Sequence, residues 1–140
     1  MCYHYSMLST FFFYGGLGVF ALRIALGAIF LAHGWPKIKD LRTTAANFNG
    51  MGFRPGALWG TVIALLEFFG GIALVLGAFT QIVTVFFIVE FATILIWKIS
   101  KRNPFVGGWE FDLLILAAIL VLLLNGGGSY SLDRSYFLGW

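Results

Sequence analysis

Four long apolar stretches run along this 140-residue chain and limit what it can fold into. They cover about residues 16–35, 57–77, 79–97 and 109–125. A helix needs about 20 mainly apolar residues to cross the hydrocarbon core of a bilayer, and each stretch is close to that length. Membrane-spanning strands would be shorter and would alternate in polarity. We therefore predict an all-α integral membrane bundle of four antiparallel helices, with residues 1–140 in one domain.

The composition agrees with a membrane location. Hydrophobic residues make up 60% of the chain and charged residues only 11%, whereas about a quarter of a soluble domain is charged. So few polar groups cannot cover the surface of a compact soluble domain. A single cysteine, Cys2, excludes a disulfide scaffold. The formal charge of +3 is too small to indicate nucleic-acid binding.

The segments between the spans predict the topology. A tight turn near residues 77–81 makes the second and third spans antiparallel neighbours. The connection over residues 36–56 is long enough for a short interfacial helix around residues 43–51. Residues 1–15 are expected to form an aromatic outer tail and residues 126–140 a C-terminal tail.

Basic residues are concentrated in the first and third connections. Seven lie there, namely Lys37, Lys39, Arg42, Arg54, Lys98, Lys101 and Arg102. The other side has only Arg134 in the tail. Because short loops rich in lysine and arginine stay in the cytoplasm, we expect both termini on the non-cytoplasmic side of the membrane.

Three ionisable residues interrupt the first three spans. A rise of about 1.5 Å per residue places Arg23, Glu67 and Glu90 in one central layer. Each would cost about 2.5–3.5 kcal/mol if it stood alone in the membrane, so all three are predicted to face the bundle interior. We expect Arg23 to pair with one glutamate while the other stays protonated. Such a site can bind a proton, a polar headgroup or a quinone carbonyl; the alternative is a structural ion pair that sets helix order.

A second polar layer is predicted near the cytoplasmic ends of the spans. His33 ends the first span and can carry protons near neutral pH, or it is a hydrogen-bonded structural residue. Glu110 and Asp112 lie about 200° apart around the fourth helix, so only one can face inward. Glu110 is predicted to do so because Leu114, Ala117, Ala118 and Val121 continue its face. Asp112 would then point sideways and pair with a loop lysine or arginine.

One stripe of the third span contains an aromatic and polar series, Val83, Phe86, Glu90, Thr93 and Trp97. It predicts a slot for a flat ligand that Phe86, Thr93 and Trp97 contact; the alternative is ordinary packing. No Cys/His cluster predicts a metal site, and no nucleotide-binding fingerprint is present. Any redox role would therefore use a lipid-soluble carrier such as a quinone, with no covalent cofactor, or a partner protein.

Several motifs, taken in their order along the chain, resemble those of the DoxX family over about residues 20–134. They are the segment from Leu22 to Lys37, Gly52-Phe53-Arg54-Pro55, Glu67-Phe68-Phe69-Gly70-Gly71, Phe105-Val106-Gly107-Gly108-Trp109-Glu110, and the tail from Gly126 to Asp133. Gln81 departs from the pattern, because the family usually has a basic residue after the threonine that matches Thr80.

The resemblance implies a four-helix inner-membrane protein. The relatives that give the family its name are subunits of a thiosulfate:quinone oxidoreductase. Others associate with superoxide dismutase and a sulfurtransferase in an oxidative-stress complex. By this resemblance the functional set is Arg23, His33, Glu67 and Glu110, whereas Glu90 follows from the physical argument alone.

Three functional hypotheses follow. The first is a membrane subunit that supports quinone-linked redox or thiol-stress chemistry, with the basic loops docking a soluble redox or sulfur-transfer protein or anionic lipid. Whether the chain is itself an enzyme stays open. The second is a small proton-coupled transporter of hydrophobic cations, formed by a homodimer, with Glu67 or Glu90 exchanging protons. The third is a structural assembly factor whose charges only hold the bundle together.

Overall fold

The computed structural model describes the backbone of residues 3–133 and the side chains of residues 15–133. In this part of the chain the ordered elements are all helical: α1 (Tyr3–Lys39), α2 (Leu41–Met51), α3 (Gly56–Leu76), α4 (Thr80–Ser100) and α5 (Glu110–Asn125). A π-helical turn at Phe105–Trp109 leads into α5. Four helical segments are long and apolar enough to cross a membrane, namely Gly15–Lys39, α3, α4 and Phe105–Asn125. The predicted all-α membrane bundle is confirmed.

Helix α1 extends beyond the predicted first span in both directions. It begins at Tyr3, so residues 3–15, expected as a tail, continue the helix. It also passes through Pro36 and ends at Lys39. Proline removes one backbone hydrogen bond from a helix, yet the carbonyl of Pro36 still accepts from the amide of Asp40 at 3.2 Å. The expected aromatic character of the outer tail concerns side chains that lie outside the described residues.

Helix α2 is the short helix expected in the first connection. The carboxylate of Asp40 accepts a hydrogen bond from the amide of Thr43 at 3.0 Å and so caps its N-terminus. The indole of Trp97 donates to the carbonyl of Met51 at 3.1 Å, which ties the end of α2 to α4. We call the end of the bundle that holds α2 and the π-helical turn the basic end, and the other end the opposite end.

Glycines set how α1 lies against α3. A Cβ atom on Gly27 would meet the carbonyl oxygen of Gly71 at 2.9 Å, and one on Gly71 would meet the carbonyl oxygen of Gly27 at 3.0 Å. A Cβ atom on Gly34 would come within 2.6 Å of the backbone nitrogen of Phe68. The missing side chains therefore let the two backbones touch, as small residues do between membrane helices. This contact fixes the relative height of α1 and α3.

An apolar core fills the bundle between its two ends. The rings of Phe30 and Phe87 stack with their centroids 3.8 Å apart, and Phe91 lies 5.7 Å from Phe30. Other buried members are Leu26, Leu74, Ile115, Ile119 and Leu122. Large apolar side chains also cover the outside of the spans, Phe69, Ile96 and Leu124 among them. These outward residues give the bundle an apolar surface suited to contact with the lipid bilayer.

The segment after α5 folds back onto the turn between α3 and α4. The carboxylate of Asp133 accepts hydrogen bonds from the amides of Phe79 and Thr80 at 2.5 and 2.9 Å. The amide of Asp133 donates to the carbonyl of Gly77 at 2.9 Å. Asp133 therefore caps the start of α4 from a distant part of the chain, which closes the opposite end of the bundle.

We expect Gly27→Ala to destabilise the bundle by about 1–3 kcal/mol, because the added methyl group overpacks the contact between α1 and α3. The measurement is unfolding of the purified protein in detergent micelles. Gly18→Ala is the matched control, since a Cβ atom there meets nothing within 4 Å. Equal stability of the two variants would show that the helix contact does not depend on Gly27.

The cap of α2 gives a pH-dependent signal. The amide of Thr43 donates to the carboxylate of Asp40 and lowers the pKa of that carboxyl below its ordinary value. A lowered folded-state pKa means that the cap stabilises α2 above the unfolded pKa and is lost as the pH falls through the folded one. The amide proton shift of Thr43, followed by NMR in micelles, should titrate below the ordinary aspartate value. Asp40→Asn should abolish this titration, and a midpoint at or above the ordinary value would contradict the cap.

Candidate functional site

The three mid-span ionisable residues are all buried, as expected. The exposed fractions are 1% for Arg23, 4% for Glu67 and 6% for Glu90. They do not meet in one layer, however. Glu67 and Glu90 lie near the middle of α3 and α4, whereas the guanidinium of Arg23 lies near the opposite end.

Arg23 binds the C-terminal segment. Its Nη1 donates to the carbonyl of Gly127 at 3.2 Å and its Nη2 to the carbonyl of Tyr130 at 2.7 Å. The guanidinium packs so closely on Gly77 that a Cβ atom there would overlap it. Ten residues of α3, or about 15 Å of helix, separate Gly77 from Glu67. The predicted pairing of Arg23 with Glu67 or Glu90 is therefore wrong.

Lys37 pairs with Glu67 instead. Its Nζ lies 2.6 Å from Oε2 of Glu67, and the two side chains are 30% and 5% exposed. Helical side chains lean toward the N-terminus of their helix, which for α1 is the opposite end. Lys37 therefore reaches from the basic end toward the middle of the bundle, while Arg23 reaches away from the middle. The sequence prediction compared only the heights of the residues along the helix axes. It did not include the displacement of the charged groups caused by the direction of the side chains.

Glu90 completes a cluster of three ionisable groups with Lys37 and Glu67. Gly70 lies one turn after Glu67 on α3 and packs on the ring of Phe87. Phe87 lies one turn before Glu90 on α4, so the two carboxyl groups lie at the same height. The Glu90 carboxyl is buried and interacts with the Glu67 carboxyl and the Lys37 ammonium. We refer to these residues as the Lys37–Glu67–Glu90 cluster. Two carboxyl groups buried beside one ammonium are costly unless one of them carries a proton.

A different pair occupies the basic end of α4 and α5. The ammonium of Lys98 lies 2.5 Å from Oδ2 of Asp112 and donates to the carbonyl of Gly108 at 3.2 Å. Asp112 is buried and Glu110 is exposed, with its carboxylate accepting from the amide of Gly107 at 2.9 Å. The predicted inward direction of Glu110 and the predicted sideways direction of Asp112 are therefore both wrong. Asp112 does pair with a basic residue, as expected, but Lys98 belongs to α4 and not to a loop.

The direction of Glu110 was predicted wrongly because α5 is apolar on all sides. Its buried face is formed by Asp112, Ile115, Ile119 and Leu122. Leu114 and Val121, which suggested the Glu110 face, point outward with exposed fractions of 65% and 42%. Because lipid is as apolar as the core, hydrophobic residues do not mark the inner side of a membrane helix.

The remaining predicted residues lie away from the cluster. His33 is exposed on α1, and the Phe86 side chain is 56% exposed. Thr93 is also exposed and donates its hydroxyl to the carbonyl of Val89 at 2.7 Å. Trp97 serves the contact with α2. The structure therefore does not bring Phe86 and Thr93 onto the buried face of α4 that contains Glu90.

A spacing signal in the sequence marks the buried face of α1. Arg23, Gly27, Phe30, Gly34 and Lys37 follow one another at alternating steps of four and three residues. This spacing puts all five on one side of a helix. It would have added Lys37 to the candidate residues had the first helix been continued through Pro36.

Comparisons with known proteins give a consistent result. The model of the DoxX family matches residues 18–98. The chain is 32% identical over 123 residues to the protein named "Putative oxidoreductase CatD" of Bacillus subtilis (strain 168), covering 88% of this chain and 90% of that one. It is 33% identical over 129 residues to the inner membrane protein YqjF of Escherichia coli (strain K12), covering 89% and 95%. No solved structure matches the chain. With the four spans, these matches support the predicted multi-pass protein of the inner membrane.

The ion pair between Lys37 and Glu67 should appear in a double-mutant cycle. Lys37→Met leaves a buried carboxylate unpaired, a loss of about 3–5 kcal/mol for a fully buried pair and less here because Lys37 is partly exposed. Adding Glu67→Gln removes the stranded charge, so the double variant should regain much of the stability in denaturant titrations. Lys101→Met, at an exposed lysine, is the control with no expected effect. Strictly additive losses would contradict the ion pair.

Proposed function

This chain belongs to the DoxX family, and on that premise we propose that it is a membrane subunit of a quinone-linked redox or thiol-stress system. The Lys37–Glu67–Glu90 cluster would hold the polar head of a quinone-like ligand. The observation that carries the proposal is the buried carboxyl of Glu90, which faces the Glu67 carboxyl and the partly exposed ammonium of Lys37.

The groups of the cluster suit a quinone head in two ways. A quinone carbonyl oxygen accepts hydrogen bonds, and Lys37 can donate one from its ammonium. Reduction to the quinol takes two electrons and two protons. The protonated carboxyl of Glu90 can deliver one proton to a carbonyl oxygen, and the second follows after that carboxyl has been reprotonated from water at the basic end. The electrons would come from a reduced sulfur compound or thiol through a partner protein. A dry surrounding strengthens both interactions, since water does not screen them.

The basic end offers a surface for such a partner. Five of its basic side chains are exposed, namely Lys39, Arg42, Arg54, Lys101 and Arg102. A soluble redox or sulfur-transfer protein with an acidic face would dock on these residues, as would anionic lipid headgroups. The name of the relative CatD supports a redox role for this membrane scaffold.

Two other functions compete for the same residues. A proton-coupled transporter of hydrophobic cations would use the buried carboxyl of Glu90 to exchange a proton for the cation. A structural assembly role accounts for the Lys37–Glu67 pair but not for Glu90, because a second buried carboxyl adds a desolvation cost that the ion pair does not need. Glu90 is therefore the residue that separates the three functions.

The test is titration of a short-chain benzoquinone into the protein in lipid nanodiscs. Quenching of tryptophan fluorescence reports binding, since Trp35 packs on Phe68 beside Glu67 with ring centroids 5.6 Å apart. We expect Glu90→Leu and Lys37→Met to weaken binding about tenfold or more, because each loses a hydrogen bond that involves a charged or acidic group. Glu110→Gln, at an exposed carboxylate, should bind like the unmodified protein.

Equal quinone affinity in all variants would overturn the proposed binding site. Proton-driven efflux of a hydrophobic cation that is lost in Glu90→Gln would favour the transporter instead. If Glu90→Leu alters neither binding nor efflux nor redox activity with its partner, the assembly role is the better account.

A further inference from the structure

We propose that the Lys37–Glu67–Glu90 cluster is a proton-binding site with one-sided access: Glu67 and Glu90 share one proton, which exchanges only through the basic end. This inference concerns proton exchange alone and stands whether or not a quinone binds. It rests on the charge count of the cluster, on the apolar core at one side of it and on the exposure of Lys37 at the other.

The net charge of the cluster indicates that one of its two carboxyl groups carries a proton. The groups that act on Glu90 are Glu67 from α3 and Lys37 from α1. On the remaining side, Asp112 of α5 is paired with Lys98, which lies eight residues or about 12 Å further along α4. One ammonium against two carboxylates would leave a net negative charge buried at mid-span. A single shared proton makes the cluster neutral, because it leaves one carboxylate against one ammonium.

The other charged groups do not enter this balance. Arg23 lies at the opposite end, where it binds backbone carbonyls and interacts electrostatically with Asp133. His33 is exposed on the outer side of α1. The proton of the cluster is therefore governed by three residues that lie on three different helices.

The core closes the cluster toward the opposite end. Phe87 lies one turn before Glu90 on α4 and is fully buried, and its ring stacks on Phe30 of α1. The neighbouring apolar core residues on this side are buried as well, namely Leu26, Leu74, Ile119 and Leu122. The buried hydroxyl groups of Thr80 and Thr84 lie beyond Phe87, toward the opposite end. A proton needs a chain of polar groups or water to move, and the apolar core residues provide none. The stacked rings and their neighbours thus separate the cluster from Arg23.

The basic end is open through Lys37. Its side chain is 30% exposed while its Nζ contacts Glu67 at 2.6 Å, so one group touches both the surroundings and the buried carboxyl. Protons that enter or leave the carboxyl pair therefore pass by Lys37. If a ligand is reduced at the cluster, its protons come from the side of the basic end.

Infrared difference spectroscopy on the full chain in nanodiscs tests whether the proton exists. A pH step should reveal the C=O band of a protonated carboxylic acid that shifts in D₂O. Glu90→Gln and Glu67→Gln should each abolish or shift this band, and Glu110→Gln should leave it unchanged. A band that persists unaltered in both buried-site variants would overturn the proposal. Neither outcome depends on quinone binding. The shared proton can therefore be disproved while quinone binding is confirmed, and quinone binding can be disproved while the shared proton is confirmed.

Proteoliposomes test the sidedness. The chain has a single cysteine, so Cys2→Ser with Lys101→Cys allows vesicles to be sorted by whether the basic end is labelled from outside with an impermeant maleimide. An external pH step should change the carboxyl band promptly only in vesicles whose basic end faces out. A prompt response in the other population would overturn one-sided access.

A matched pair of phenylalanine variants tests the barrier itself. Phe87→Ala removes a fully buried ring from the core and should make the band respond to a pH step from both sides. Phe86→Ala removes a neighbouring ring that is 56% exposed and should keep the response one-sided. Should Phe87→Ala fail to fold, the sidedness measured without it still decides the proposal. A folded Phe87→Ala that stays one-sided would overturn the role of the ring.

Discussion

The contact between Lys37 and Glu67 is the interaction on which the half of the bundle toward the basic end depends. It joins a residue near the end of α1 to the middle of α3, and it is possible only because α1 continues through Pro36. Gly34 lets the two backbones approach at the same height. The pair supplies the positive charge that allows Glu90 to lie buried beside a second carboxyl. Without it, two acidic groups would face each other in an apolar core.

The direction of side chains along α1 divides the polar residues into two layers. Arg23 leans toward the opposite end, where backbone carbonyls of the C-terminal segment satisfy it. That same segment carries Asp133, which caps α4. This layer thus holds the chain ends of the bundle together, and stacked rings separate it from the Lys37–Glu67–Glu90 cluster. The layer of Arg23 and Asp133 joins distant parts of the chain, whereas the proposed chemistry would take place in the layer of the Lys37–Glu67–Glu90 cluster.

This division bears on the proposed redox role of the chain. In that role the cluster would offer hydrogen bonds and a proton, while the electrons would come from elsewhere in the system. A family member of this size would therefore contribute a site within the membrane and a basic surface for a partner. The apolar outer face of the helices keeps that site at the depth where lipid-soluble ligands reside.

The sequence by itself determined the membrane fold, the number of spans and the burial of Arg23, Glu67 and Glu90, because an unpaired charge is too costly to face lipid. It also predicted a basic partner for Asp112 and the short helix in the first connection. Which cation meets Glu67, and which acid of α5 faces inward, was decided only by the tertiary structure. Helix register and rotation depend on close packing at Gly27, Gly34 and Gly71, and hydrophobic patterning carries no information about them when core and solvent are both apolar.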